Sequence, residues 1–314
     1  MIKTPQPTGG RPMLFAELAP DYRTCRCPET VLEHCTMSVK KGVFYVIATP
    51  IGNLTDITQR AIAVIGEVDV LYAEDTRHTA KLCMHLGLNP KLRSLHDHNE
   101  QDRISEIIEQ LSNGLSVGLV SDAGTPLISD PGYKIVAACH EADLPVSPVP
   151  GVSSLTAVLS VCGLPTDRFL FNGFLPSKAT ARRKLLSGLQ RATESLVFFE
   201  SKHRIDESLN DILVVLGDRK ICVAREVTKS FETIINGNLS NVRERFVDNP
   251  DWHKGEFVLV VSGAGEVEGQ LNEEVGNLLI DLADLIAPKQ AAKLVAKHSG
   301  VKTKELYDWL LEQK

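Results

Sequence analysis

From Val43 onward the chain alternates short apolar runs with stretches of helical period, and that alternation limits the folds open to it more than any other feature. The runs fall at 43–48 (VFYVIA), 68–73 (VDVLYA), 116–120 (SVGLV) and 145–149 (PVSPV). Between them lie helical patterns such as Glu100 to Leu111, where Ile104, Ile107, Ile108 and Leu111 recur at i, i+3, i+4 and i+7. Strands alternating with helices of that length predict a mainly parallel sheet. A second alternating block places strands at 168–174, 195–200, 220–224 and 256–262, with helices at about 178–191, 203–216 and 239–248. The fold class expected is therefore α/β, with two α/β domains over 42–155 and 156–265. The stretch GAGEVEGQ at 263–270 reads as a linker, and 270–314 as a small helical C-terminal domain. Residues 1–41 lack apolar periodicity and read as a poorly ordered extension, with Met37 a possible functional start. Cys25, Cys27, His34 and Cys35 cluster there, but Cys-x-Cys followed by His-Cys does not match structural zinc spacings, so no metal is expected.

Composition bounds the partners. A chain of 314 residues, 43% hydrophobic and 24% charged, can build packed cores. Its formal charge of −6 excludes a general polycation, so any nucleic-acid contact must be local. No apolar run approaches the roughly 18–20 residues that span a bilayer, and the first residues carry no secretory h-region. Neither a membrane nor DNA is expected as a partner. Cys83, Cys139, Cys162 and Cys222 each sit within apolar patterning, which suits reduced, buried thiols and a cytoplasmic protein.

In an open parallel sheet, ligands bind beyond the carboxyl ends of the strands, where loops and free backbone groups converge. Those ends carry Thr49-Pro50-Ile51-Gly52-Asn53, Glu74-Asp75-Thr76-Arg77-His78, Ser121-Asp122-Ala123-Gly124-Thr125-Pro126, Ser129-Asp130-Pro131-Gly132 and Pro150-Gly151-Val152-Ser153-Ser154. Singly, each Gly-Pro cluster reads as a tight turn. Gly124, Pro126, Pro131 and Gly132 within one connection indicate a backbone shaped to approach a ligand. Neither G-x-G-x-x-G nor G-x-x-x-x-G-K-[ST] occurs, which weighs against NAD and ATP.

These residues also carry a resemblance. The strings ATPIGNLTDITQRA, AEDTRHT, HDHNE, SDAGTPLISDPGY, PGVSS, DRFLFNGFLP, FFESKHR and KGEFVLVVSG, in that order over about 42–263, resemble the ribosomal RNA small subunit methyltransferase I branch of the tetrapyrrole methylase family. A weaker helical likeness covers 285–309. The resemblance implies two α/β domains with S-adenosyl-L-methionine between them, in a cytoplasmic homodimer. It also implies methyl transfer to the ribose 2′-hydroxyl of a cytidine in the decoding region of 16S rRNA, within the small ribosomal subunit. By motif, cofactor contacts fall on Pro50, Ser121, Asp122, Ala123, Gly124, Leu127, Ser153 and Ser154, and from the second domain on Glu200 and Val227.

A ribose hydroxyl is a poor nucleophile at neutral pH, so a carboxylate or imidazole within reach should help remove its proton. Glu74, Asp75 and His78 are the candidates. Strand side chains alternate, so only one of Glu74 and Asp75 should face the cleft. Asp75 is preferred, with Arg77 orienting it or meeting an RNA phosphate. The competing reading has Asp75 capping the following helix and Arg77 solvated. His96 and His98 read as hydrogen-bonded rim residues. Arg182 and Arg183, with Lys178 and Lys184, make one basic stretch, and Lys229 lies in a charged second-domain loop. Lys289, Lys293 and Lys297, four apart, align on one helix face. All are candidate RNA contacts, against the alternative of solvated faces. Aromatic residues are 5% of the chain and are not interleaved with these positions, so a base-stacking platform is not indicated. A tetrapyrrole methyltransferase of the same fold and a non-catalytic ribosome assembly factor are the alternatives.

Overall fold

The computed structural model describes residues 39–96, 99–265, 271 and 273–313. The Cys25, Cys27, His34 and Cys35 cluster and His98 lie outside the described residues.

The first sheet contains β1 (Phe44–Ile47), β2 (Val70–Ala73), β3 (Leu92–Ser94), β4 (Val117–Val120) and β5 (Val146–Val149) in the order β3-β2-β4-β1-β5. Every pairing is parallel. β2 and β4 are buried at every residue because helices cover both faces, which is why they read as unbroken apolar runs. On one face α1 (Gln59–Glu67) and α2 (Thr76–His85) place Ala61, Val64, Ile65 and Cys83 against the strands. On the other, α3 (Glu100–Ser112) and α4 (Tyr133–Glu141) contribute Ile107, Leu111, Ile135 and Cys139. β1 and β4 are neighbours whose connections leave in opposite directions, toward β2 and β5. That reversal opens a crevice above their carboxyl ends. The short strand β3 was not expected, since LRS carries no apolar run.

The second sheet contains β6 (Phe169–Phe174), β7 (Ser195–Ser201), β8 (Lys220–Arg225), β9 (Thr233–Asn238) and β10 (Glu256–Val261) in the order β6-β7-β10-β8-β9. Only β6 and β7 run parallel; the β7–β10, β10–β8 and β8–β9 pairs are antiparallel. β9 was missed because the Asn-Gly-Asn at its end imitates a turn. Side-chain alternation divides β7 between two cores. Leu196 and Phe198 face α6 (Ala179–Gly188), α7 (Ile205–Leu216) and α8 (Leu239–Asp248) through Leu186, Leu209, Ile212, Val242 and Phe246. Val197, with Cys222, Ala224, Val258 and Val260, faces Val158 of α5 (Ser154–Leu159) and Cys162. The chain thus leaves the first sheet after Val149 and goes directly into packing beneath the second, which draws the last first-sheet loop toward the second sheet.

Helices α9 (Glu273–Leu285), α10 (Pro288–Ser299) and α11 (Thr303–Glu312) enclose a core of their own, with Leu279, Ala291, Ala292, Val295, Val301, Leu306 and Leu310. Pro288 opens α10, and Gly300 closes it in the left-handed conformation at φ 75°. Cys83, Cys139, Cys162 and Cys222 are buried free thiols. Burial pushes the Cys139 thiol up to about 11 and the Cys222 thiol up to about 12. No helix among the described residues is long and apolar enough to cross a membrane.

Candidate active site

The loops beyond the first sheet are tied to one another by hydrogen bonds between residues that lie far apart in the chain. Thr49 and Gly124 exchange backbone bonds, Thr49 N to Gly124 O at 2.8 Å and Gly124 N to Thr49 O at 3.0 Å. Asp75 N donates to Asp122 Oδ1 at 3.0 Å, and Asp122 N to Glu74 Oε2 at 3.5 Å. Thr125 Oγ1 donates to Val152 O at 3.0 Å. The loops after β1, β2, β4 and β5 therefore form one bonded rim. A Cβ on Gly151 would sit 2.9 Å from Ala48 Cβ, so only glycine lets the β5 loop lie this close to β1.

The connection from β4 to α4 carries Gly124, Leu127, Ser129 and Gly132 at positive φ, of 84°, 73°, 71° and 127°. Two non-glycine residues held there cost about 1–3 kcal/mol each, so partners outside the loop must impose its shape. One is Glu100, a buried carboxylate at the start of α3. Its Oε1 accepts from Gly132 N at 3.0 Å and its Oε2 lies 3.3 Å from Lys134 Nζ. Within the HDHNE string, Asn99 Oδ1 accepts from His96 N at 2.9 Å and so closes the turn that delivers Glu100.

Between this rim and the second sheet lies a cavity of about 690 Å³. First-sheet loops line it with Ile51, Glu74, Asp122, Ala123, Gly124, Thr125, Ile128, Ser129, Asp130, Ser153 and Ser154. The second sheet adds Phe174, Phe199, Glu200, Ser201, Lys202, His203, Glu226, Val227, Lys229 and residues 255–258. Of the expected cofactor positions, Asp122, Ala123, Gly124, Ser153, Ser154, Glu200 and Val227 reach the cavity. Pro50 and Ser121 are buried and are not among the lining residues, and Leu127 packs beside Gly132.

The expected catalytic group divides. Glu74 lines the cavity, whereas Asp75, Arg77 and His78 are not among its lining residues. Asp75 Oδ1 accepts from Arg77 N at 2.8 Å, capping α2, and Arg77 NH2 lies 2.7 Å from Asp75 Oδ2. The Arg77 side chain beside it, then its backbone N–H, hold the Asp75 carboxyl well below the usual carboxylate range. Of this adjacent pair, Glu74 reaches the cavity and Asp75 ends in the helix cap.

Glu200 is fully buried and makes three contacts. Ser208 Oγ donates to it at 2.5 Å, Ser201 N at 2.7 Å, and Arg204 NH2 lies 2.9 Å away. Lys229 Nζ bonds Glu226 at 2.9 Å and Glu256 at 3.0 Å. Burial pushes the Glu226 carboxyl up, but Lys229 and the Glu256 backbone N–H outweigh it, leaving the group below its ordinary value. A Cβ on Gly52 would meet Lys229 Cγ at 2.3 Å, so this lysine lies against the first loop. Phe174 and Phe199 were not anticipated as lining, because aromatic residues in strand runs read as core. Among the described residues no group of three or more His, Cys, Asp or Glu is arranged to hold a metal ion.

The family described as Tetrapyrrole (Corrin/Porphyrin) Methylases matches residues 43–243, which contribute most of this cavity. The family described as RsmI C-terminal HTH domain matches residues 269–314. The protein named Ribosomal RNA small subunit methyltransferase I in Escherichia coli O157:H7 is 44% identical over 282 residues, covering 90% of this chain and 99% of that protein. Its namesake in Vibrio cholerae is 46% identical over 272 residues, covering 86% and 94%. That in Neisseria meningitidis serogroup B is 42% identical over 284 residues, covering 90% and 98%. The chain belongs to the tetrapyrrole methylase family, in its ribosomal RNA small subunit methyltransferase I branch.

For this methylase the structure also redistributes the residues expected to meet RNA. Arg182 is only 1% exposed, with Nε 2.7 Å from Asp211 Oδ2 and NH2 3.2 Å from Glu207. Its NH1 donates to the Pro176 and Ser177 carbonyls. It is an internal tie between α6 and α7 and presents almost no surface to RNA, unlike the contact expected of it. Arg183 is half-exposed and shares Asp211 at 2.7 Å. Lys289, Lys293 and Lys297 are exposed on α10, on the side away from buried Ala291, Ala292 and Val295.

Proposed function

We propose that the cavity holds S-adenosylmethionine and that the chain transfers its methyl group to the ribose 2′-hydroxyl of a cytidine in the decoding region of 16S rRNA. Glu74, brought to the cavity from the carboxyl end of β2 while Asp75 is spent on a helix cap, is the observation that carries this reading.

The residues present fit the donor. A cavity of about 690 Å³ admits a nucleoside-sized molecule, and its lining carries Glu74, Asp122, Asp130, Glu200, Glu226 and Glu256, a setting suited to a sulfonium cation. The 122–124 backbone, Ser153, Ser154 and Val227 would hold it. When bound, the donor supplies a methyl group already electrophilic on its sulfonium, so the protein's remaining task is to present the acceptor oxygen in line. Glu74 accepts the hydroxyl proton at a carboxylate oxygen as attack proceeds. A long hydrogen bond of 3.5 Å from Asp122 N helps orient that carboxylate. Exposed Lys289, Lys293 and Lys297 supply phosphate contacts remote from the cavity, and a homodimer in the cytoplasm is part of the same reading.

The test incubates purified protein and methyl-labelled S-adenosylmethionine with small ribosomal subunits lacking the modification, followed by nucleoside analysis of digested rRNA. Label in 2′-O-methylcytidine is the expected result. Label on a base rejects ribose transfer. Label entering a tetrapyrrole acceptor but not rRNA moves the chain to the small-molecule chemistry of its family, and donor binding without transfer to either marks an assembly factor.

A further inference from the structure

The cavity wall contributed by the second sheet also carries Phe174, Phe199, Lys202 and His203, to which the donor reading gives no role. Phe174 ends the edge strand β6, lines the cavity and is 53% exposed. The β6–β7 register shifts between Phe171 and Phe174, and Gly173 in that interval takes φ 62°, where an added Cβ would lie 3.2 Å from Ser129 Oγ. A bulge of this kind re-aims one side chain; here it turns Phe174 to the cavity. Phe199, also on the lining, meets Phe174 edge-on at 5.6 Å and 67°, and Phe171 at 4.9 Å and 66°. Phe199 is thereby braced, while Phe174 keeps half its surface open. Directly beyond β7, Lys202 and His203 are exposed on the same lining, and among the described residues neither forms an ion pair. Across the cavity stands Glu74.

An aromatic ring, a lysine ammonium beside an imidazole, and a carboxylate around one space correspond to the three parts of a single nucleotide: base, phosphate and ribose hydroxyl. We propose that Phe174 stacks on the base of a target nucleotide turned out of its strand, with Lys202 and His203 holding the adjoining phosphate. This rests on the ribosomal RNA reading above and names how the substrate enters the site. Bases within a helix or stacked strand present no free face, whereas an extruded base pairs readily with an aromatic side chain. Stacking tolerates any base, so Phe174 contributes affinity and placement while leaving the choice of cytidine to other contacts. The low aromatic content and its separation from the basic helices argued against a stacking platform. The fold nevertheless brings the aromatic residues Phe174 and Phe199 onto one lining with Lys202 and His203, a juxtaposition that neither composition nor spacing reveals.

The test measures single-turnover methylation of unmodified small subunits by Phe174→Ala, Phe174→Leu, Phe174→Tyr and Phe174→Trp, with donor affinity by equilibrium dialysis and oligomeric state by sedimentation. Stacking losses correspond to about a tenfold to hundredfold fall in kcat/KM for the alanine variant. The leucine variant, which keeps apolar bulk without a π-face, falls comparably. Tyrosine and tryptophan retain activity, and donor affinity stays within about twofold throughout. Lys202→Glu adds a loss that is greatest at low salt. Wild-type activity in Phe174→Leu would overturn the stacking role. Donor affinity falling in step with activity would assign the ring to the donor, and an altered oligomeric state would assign it to an interface between copies. A wild-type protein that labels no RNA would remove the underlying reading and the clamp with it, a result distinct from loss confined to the variants.

Discussion

Replacing Glu100 by alanine tests whether the cavity loop is held in shape from outside. The carboxylate is 3% exposed, accepts from Gly132 N at 3.0 Å and lies 3.3 Å from Lys134 Nζ. Removing it leaves a buried backbone N–H without that acceptor, which costs about 1–3 kcal/mol. Lys134 is 43% exposed and regains water, so the lost ion pair adds at most about 1 kcal/mol. The whole change is then about 1–4 kcal/mol, against the positive-φ strain of Leu127 and Ser129 that the loop must sustain. If the connection relaxes locally, the loss falls on donor binding, and the dissociation constant rises by about fivefold to several hundredfold. If it relaxes only with the fold, urea unfolding shifts by the same free energy. Glu100→Gln keeps an acceptor for Gly132 and loses only the charge, so it should recover most of the effect. Equilibrium dialysis with labelled S-adenosylmethionine and urea titration separate the two routes. Glu100→Ala with unchanged donor affinity and an unfolding free energy within about 0.5 kcal/mol of the parent would refute the reasoning.

Other consequences follow from the same contacts. Glu74→Gln should lower turnover by about a hundredfold or more with donor binding intact, whereas Asp75→Ala should lose some thermal stability and keep turnover within a few-fold; equal losses would undo the assignment of the base. Arg182→Ala leaves buried Asp211 with Arg183 alone and should cost about 1–3 kcal/mol in urea unfolding, while half-exposed Arg183→Ala should cost at most about 1 kcal/mol. Burial pushes the Tyr72 hydroxyl up to about 12 from 10.0. The folded state therefore holds this proton more tightly than the unfolded one, and the stability linked to it is complete below pH 10 and lost between about 10 and 12. Tyr72→Phe should flatten that alkaline limb in urea titrations, and an unchanged limb would place its origin elsewhere. Reversing Lys289, Lys293 and Lys297 to Glu should weaken subunit binding and reduce the slope of log affinity against log salt by about 2; an unchanged slope would make them a solvated face.

The inner strands β1, β2 and β4 of the first sheet were readable because they are buried on both faces, so apolar runs and Gly-Pro loops mark their positions, whereas the partly exposed β3 carries no such run. Strand direction in the second sheet was not, since β8 and β9 pair antiparallel around a loop whose composition gives no period. The same limit governs the site. Glu74 and Asp75 are adjacent and chemically alike, and local alternation says only that they part. Which one faces the cavity depends on Asp122, a loop residue from another strand, whose carboxylate accepts the Asp75 N–H and whose own N–H meets Glu74. Arg182 and Lys293 make the point for charge. Each sits among basic neighbours on an amphipathic helix, yet one is sealed against Asp211 from α7 and the other stands in solvent. A basic stretch therefore becomes a nucleic-acid contact only after the acidic partners folded against it are known, just as an aromatic strand end becomes a ligand surface only after a bulge has turned it out of the core.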